Sequence, residues 1–161
     1  MMSPVAVRLR LARCGLTADA GEYADTVSDE YHIAELFEAA SAVKMQAHVP
    51  YSGFPVGAAL LDETGRIHAG CNVENASYPE GICAEANAIG AMVAAGARSI
   101  VELLTVSDGD LITTCCGGCR QKIREFAGAD AAIHAAGPEG VRRSYTLAEL
   151  LPDSFGPDHL A

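Results

Sequence analysis

No stretch of this 161-residue chain holds the roughly 18 to 20 consecutive apolar residues of a bilayer-spanning helix, so the sequence offers no membrane span. Positive charge is scarce as well, with 11 Lys and Arg against 21 Asp and Glu, for a net charge of −10. A long phosphate backbone would be repelled except at a local basic patch, which argues against a nucleic acid polymer as partner. Cysteine is too sparse for a secreted disulfide scaffold of this length. There are six (Cys14, Cys71, Cys83, Cys115, Cys116 and Cys119), and four of them crowd into residues 83–119. No internal repeat or low-complexity segment is present, and the length suits one core rather than two domains of ordinary size.

The first 13 residues carry Arg8, Arg10 and Arg13 and no acid, a local charge of +3 that leaves −13 on the remainder. These arginines interrupt the apolar Val5, Val7, Leu9 and Leu11, so the segment lacks the unbroken apolar stretch of a secretory signal. An organelle transit peptide is also Arg-rich and acid-poor, but 13 residues is short for one. Residues 14–27 are polar and rich in Ala and Gly without a clear period. Residues 1–27 are therefore expected to be a poorly ordered leader and linker, and residues 28–161 a single domain. The expected compartment is the cytoplasm, where clustered thiols point to metal binding or catalysis.

Ser28 is placed to cap a helix whose first turn holds Asp29 and Glu30. Along it Ile33, Leu36, Phe37, Ala40 and Val43 form one apolar stripe that should pack on a sheet, and Pro50 marks its end. Residues 54–61 and 67–73 read as strands joined by the turn Asp62-Glu63-Thr64-Gly65, and the small Gly57, Ala58 and Ala59 predict a close neighbour. Helices over 83–97 and 117–127, strands over 100–106 and 130–135, and a short helix over 146–151 complete the pattern. Such alternation predicts an α/β fold, a three-layer α/β/α sandwich with a mixed central sheet.

Two segments carry the chemistry, Cys83-Ala84-Glu85 and Cys116-Gly117-Gly118-Cys119, each at the start of a predicted helix. Cys116 and Cys119 are three apart, so at a helix N-terminus their sulfurs can converge on one ion, and Cys83 can supply a third. Three thiolates fill three tetrahedral positions around Zn²⁺ and leave the fourth for water, which is a catalytic arrangement. Glu85, two residues from a ligand, can then take a proton from that water and pass it to a substrate nitrogen. A zinc that only staples the fold, or a redox C-x-x-C pair, is the alternative. The former needs a fourth ligand, for which Cys71, His68 and His134 are the candidates.

The C-A-E triplet followed by C-C-G-G-C is the Cys form of the zinc-deaminase signature. With NVENASYPEGICAE before it, CGGCRQ after it and YTLAELLPDSFGPDHL at the end, the chain closely resembles the small homotetrameric cytidine deaminases over about residues 30–161. The resemblance implies one zinc per subunit on Cys83, Cys116 and Cys119, with Glu85 as acid and base. It implies that Asn72 and Glu74 bind the ribose 3′-hydroxyl, that Phe54 packs on the pyrimidine, and that the Ala84 N–H faces the base carbonyl. The Thr114 carbonyl would lie near the departing amino group. Tyr78 and Phe155 would reach the substrate from neighbouring subunits, so the active sites of a homotetramer would be shared. The implied activity is hydrolytic deamination of cytidine and 2′-deoxycytidine, in pyrimidine salvage, on a free nucleoside as small-molecule partner.

Two positions depart from the family pattern. Ala86 stands where an Arg usually follows the catalytic Glu, and Cys115 stands where Pro usually precedes C-x-x-C. Three thiolates around Zn²⁺ leave one surplus negative charge, and Arg120, next to Cys119, is the expected donor of hydrogen bonds to a thiolate in place of the missing Arg. Cys115 removes the fixed φ of proline from the loop that carries Thr114. Two further readings share parts of this pattern: a same-fold deaminase of a cytosine-bearing antibiotic such as blasticidin S, and a non-enzymatic zinc-stapled binding module.

Overall fold

Three strands buried almost throughout and two more exposed edge strands build the central sheet. The computed structural model describes residues 20–160. Strands β1 (Val56–Asp62), β2 (Ile67–Cys71), β3 (Ile100–Ser107), β4 (Ala132–Gly137) and β5 (Gly140–Thr146) lie in the order β2-β1-β3-β4-β5. Only the β3/β4 pair is parallel, so the sheet is mixed. The helices are α1 (Ala20–Lys44), α2 (Ala84–Ala94), α3 (Gly117–Phe126) and the single turn α4 (Leu147–Leu150), with 3₁₀ turns at Tyr78–Glu80 and Pro157–His159. No helix among the described residues is long and apolar enough to cross a membrane.

Successive side chains of a strand point to opposite faces, and the core divides accordingly. Ala58, Leu60 and Leu103 join Ala84, Ala88 and Met92 of α2 and Ile123 of α3 in one buried cluster. Ala59, Leu61, Leu104 and Val106 join Leu36 and Ala40 of α1 in the other, with Ile33 and Phe37 packed against it. The expected α/β/α sandwich is thus formed, with the α1 stripe on one face and α2 and α3 on the other.

Three local expectations change. Helix α1 begins at Ala20, so Ser28 lies inside it rather than at its cap, and residues 20–27 of the expected linker are helical. Ala20, Glu22 and Ala24 favour helix strongly enough to start it upstream, and a capping preference does not prevent a helix from running through. Residues 1–19, including Cys14 and the arginine-bearing leader, lie outside the described residues. Strand β1 starts at Val56, which leaves Phe54 in the preceding loop. Strand β5, absent from the sequence reading, pairs antiparallel with β4. Arg142 and Arg143 obscured its period. At a sheet edge such charges are tolerated, and here Arg142 pairs with Glu139 while Arg143 covers the Tyr145 ring at 4.9 Å.

Glycines let the helices lie directly on the sheet. A Cβ on Gly57 would stand 2.0 Å from the Ala40 carbonyl oxygen, which identifies α1 as the close neighbour. On the opposite face, a Cβ on Gly70 of β2 would stand 2.5 Å from the Ala88 nitrogen and 2.8 Å from the Ala84 oxygen. Those contacts are backbone and cannot swing aside, so Gly70 sets the height of the first turns of α2. Gly70→Ala should lower stability by about 1–3 kcal/mol in urea unfolding. Gly90→Ala, where a Cβ meets nothing within 4 Å, should leave stability unchanged or slightly raised.

Candidate metal centre

Helix α2 begins immediately after Cys83, and α3 immediately after Cys116, each cysteine taking the extended backbone of an N-cap (φ −72° and ψ 155°, φ −65° and ψ 162°). Cys119 follows in the first turn of α3. Both positive helix ends therefore meet at one spot, where anionic sulfur is favoured. The three sulfurs lie within 4.8 Å of one another, and Cys83 Sγ is 3.7 Å from Cys116 Sγ. Tetrahedral Zn²⁺ with bonds of about 2.3 Å sets its sulfurs about 3.8 Å apart, so the group has the right span and the right donor chemistry.

No other His, Cys, Asp or Glu joins the group among the described residues. His68 bonds Asp62 at 2.7 Å, and His134 bonds Glu102 and Ser144, each at 2.7 Å. Neither Cys71 nor Cys115 belongs to it. Three protein ligands leave one coordination position open, which is the catalytic rather than the structural pattern.

The thiols respond to their surroundings unequally. Burial, and then the Cys116 thiol, push Cys83 up. Burial and the Glu85 carboxylate push Cys119 well above the ordinary range and bring Cys115 up to about 12. At Cys116 burial also acts upward, but the backbone N–H and thiol of Cys119 outweigh it and hold the group below its usual value. Glu85, only 5% exposed, lines the same cavity as Cys83 and Cys116, and its charge adds to the upward push on the thiols. A divalent cation at the three sulfurs would offset this accumulation of negative charge.

A cavity of about 160 Å³ opens beside the group, lined by Val56, Asn72, Cys83, Ala84, Glu85, Thr113, Thr114 and Cys116. Half of the site residues singled out in the sequence meet here (Asn72, Cys83, Ala84, Glu85, Thr114 and Cys116), together with Val56 and Thr113, which carry no chemical signature and were missed. A second hollow of about 360 Å³ is lined by Glu74 and Tyr78 with Tyr51, Ser52, Asn75 and Gly81. The segment carrying Asn72 and Glu74 is fixed by a Val73–Ile82 bridge, whose two backbone bonds are both 2.9 Å. Glu74 accepts bonds from the backbone N–H groups of Tyr51 at 2.9 Å and Ser52 at 3.2 Å. With the Ser52 side chain, these hold its carboxyl below the usual range and so ionised. Asn72 donates to the Phe54 carbonyl at 3.0 Å and accepts from the Val56 N–H at 2.8 Å. Phe54 and Phe155 line neither space.

Arg120 does not do what its place beside Cys119 suggested. Its guanidinium donates to the Cys115 carbonyl at 2.9 Å, the Leu150 carbonyl at 2.8 Å and the Thr114 hydroxyl at 2.8 Å, not to a thiolate. The side chain reaches back under the loop that enters α3 and fastens residues 114 and 115, which restores stiffness that a proline would have supplied.

A family model described as "Cytidine and deoxycytidylate deaminase zinc-binding region" matches residues 30–135. The chain belongs to the cytidine and deoxycytidylate deaminase family. A cytidine deaminase of Sporosarcina psychrophila is 40% identical over 129 residues, covering 80% of this chain and 95% of that protein. One from Mycobacterium tuberculosis is 43% identical over 115 residues, covering 71% and 82% respectively. The crystal structure of cytidine deaminase from Burkholderia pseudomallei superimposes with a TM-score of 0.71 at 38% identity, covering 75% of this chain and 97% of that one. In this deaminase the metal ligands and the extra thiol separate by experiment. Cys116→Ser should lose most of its zinc, whereas Cys115→Ser should retain about one ion per chain by metal analysis.

Proposed function

We propose that the protein hydrolyses cytidine and 2′-deoxycytidine to uridine and 2′-deoxyuridine, releasing ammonia, and serves pyrimidine salvage in the cytoplasm. The reading is carried by an open three-thiol group and the buried Glu85 carboxylate at one small cavity. Zinc, when bound, supplies a Lewis acid that makes water a competent nucleophile near neutral pH. The remaining work falls to the chain. Glu85 takes a proton from the attacking water and gives it to N3 as the water oxygen bonds to C4. It then takes the proton of the new C4 hydroxyl and delivers it to the 4-amino group; C4=O forms as the C4–N bond breaks and ammonia departs, so that one water is consumed and the carboxylate is regenerated.

The Ala84 N–H, in the first turn of α2, donates to the base carbonyl oxygen, and the Thr114 carbonyl accepts from the leaving amine; both residues line the cavity. Asn72 and ionised Glu74 bind the ribose 3′-hydroxyl. A fixed carboxylate there favours a sugar hydroxyl and repels a phosphate. Phe54, tied to Asn72 through its own carbonyl, packs on the pyrimidine.

Tyr78 and Phe155 stay 75% and 56% exposed although the Tyr51 ring lies edge-on to the first and the His159 ring stacks on the second. Their exposure supports the reading that each enters a neighbouring subunit's site, so that the complete site exists in a homotetramer. Residues 28–161 act as the catalytic domain and residues 1–27 as a leader and linker.

Cytidine, deoxycytidine, CMP, cytosine and blasticidin S should be offered to the purified protein, and deamination followed by ultraviolet absorbance with and without a zinc chelator. Both nucleosides should turn over and lose activity with the metal, and CMP should be poorer by about 10²-fold in kcat/KM. Turnover of blasticidin S alone would reassign the substrate. Glu85→Ala should cost at least about 10²-fold in kcat while zinc stays bound, and near-normal turnover would refute its role.

A further inference from the structure

An exposed phenylalanine near a chain end ordinarily has little to hold it, yet Phe155 is fixed from several sides. Its carbonyl accepts a bond from Gln121 Nε2 at 2.9 Å. Its ring stacks on His159, with centroids 4.9 Å apart and planes 28° apart, and the His159 Nδ1 accepts the Gly156 N–H at 3.1 Å. The residues around it are gripped by Arg124 of α3, whose Nε donates to the Ser154 hydroxyl at 3.1 Å and whose Nη2 donates to Asp158 at 2.6 Å. Between these two bonds the guanidinium lies against the backbone of Gly156. A Cβ at that position would stand 2.5 Å from Arg124 Cζ. The Arg124 side chain is only 16% exposed, while the ring that it helps to fix is 56% exposed.

We infer that Arg124 is a positioning residue: with Gln121 it clamps the 154–158 turn so that the Phe155–His159 pair is held ready for a neighbouring subunit's active site. The inference rests on the shared-site reading above. A planar fork that bonds on both sides of a glycine fixes the turn without covering the aromatic ring. Ordering the ring before assembly removes a cost that would otherwise fall on substrate binding. Both clamp residues belong to α3, the helix that starts at the metal loop, so the turn a subunit lends has the same support as its Cys116 and Cys119.

Two variants disturb the clamp by different routes. Arg124→Gln removes the fork. Gly156→Ala leaves Arg124 in place but displaces its guanidinium, and since Gly156 has an extended backbone (φ −154°), alanine brings no backbone strain there. Steady-state kinetics on cytidine should be measured for both, for Phe155→Ala and for Phe155→Ala/Arg124→Gln, with zinc content and thermal midpoint recorded for each. Phe155→Ala should raise KM by about tenfold. The clamp variants should each raise KM severalfold, by more than kcat falls and with zinc retained, and the double variant should be no worse than Phe155→Ala alone. A raised KM in Phe155→Ala with unchanged KM in Gly156→Ala or Arg124→Gln would overturn the clamp and leave the shared site standing. An unchanged KM in Phe155→Ala would overturn the shared site and the clamp with it. Co-assembly supplies the readout that a merely structural role would not move. Glu85→Ala subunits, which keep the arm, should lower the KM of Phe155→Ala partners, and Glu85→Ala/Arg124→Gln subunits should not; equal rescue by both would also overturn the clamp.

Discussion

Everything at the site depends on bringing three thiol sulfurs to about the spacing of a tetrahedral ion without letting a fourth ligand in. Sulfur pairs 3.7 Å apart do not persist as thiolates without a cation, since like charges at that distance repel strongly in a buried setting. Two helices begin at the same point and direct their positive ends at it, and the sheet beneath fixes their separation. Gly70 belongs to the same requirement: a side chain at that position would lift α2, and with it Cys83 and Glu85, away from α3. Arg120 belongs to it from the other side, because it ties the loop entering α3 to the end of α4.

Charge is the second constraint. Glu85 stands beside the Cys83 and Cys119 thiols, which already resist ionisation, and its own negative charge makes that resistance greater. Such an arrangement is costly for folding and useful for chemistry, because a carboxylate near a cation and a reacting base is placed to move protons. With no arginine at position 86 and Arg120 committed to carbonyl and hydroxyl oxygens, the surplus negative charge of a Zn(Cys)₃ centre is met mainly by the two helix ends.

Much of this was legible in the sequence, for identifiable reasons. Cysteines three apart at a helix start can converge on one ion, so the Cys116/Cys119 pair followed from spacing, whereas the resemblance implied the full set with Cys83 and the role of Glu85. The α1 stripe and the β1/β2 hairpin followed from periodicity. What could not be read depends on contacts between distant segments. The pattern of β5 was hidden by edge arginines, which make sense only once β4 lies alongside. The donors of Arg120 go to Cys115, Thr114 and Leu150 because α4 returns to that spot, and the residue's closeness to Cys119 in the chain pointed to the wrong partner. Asn72 holds the Phe54 and Val56 backbone as well as facing the cavity, a dual use that a motif does not disclose. Ser28 misled because a cap residue marks a helix start only where no helix is already under way.

The turn carrying Phe155 and the loop carrying Thr114 share α3 as their support, the first through Gln121 and Arg124 and the second through Arg120, and Cys116 and Cys119 stand at the start of the same helix. That arrangement has value only if the metal centre is open to substrate. Zinc K-edge X-ray absorption on the loaded protein tests this most directly. The spectrum should show three sulfur neighbours at about 2.3 Å and one oxygen or nitrogen neighbour at about 2.0 Å that changes when a nucleoside analogue is added. Four sulfurs, or a shell indifferent to the analogue, would contradict it.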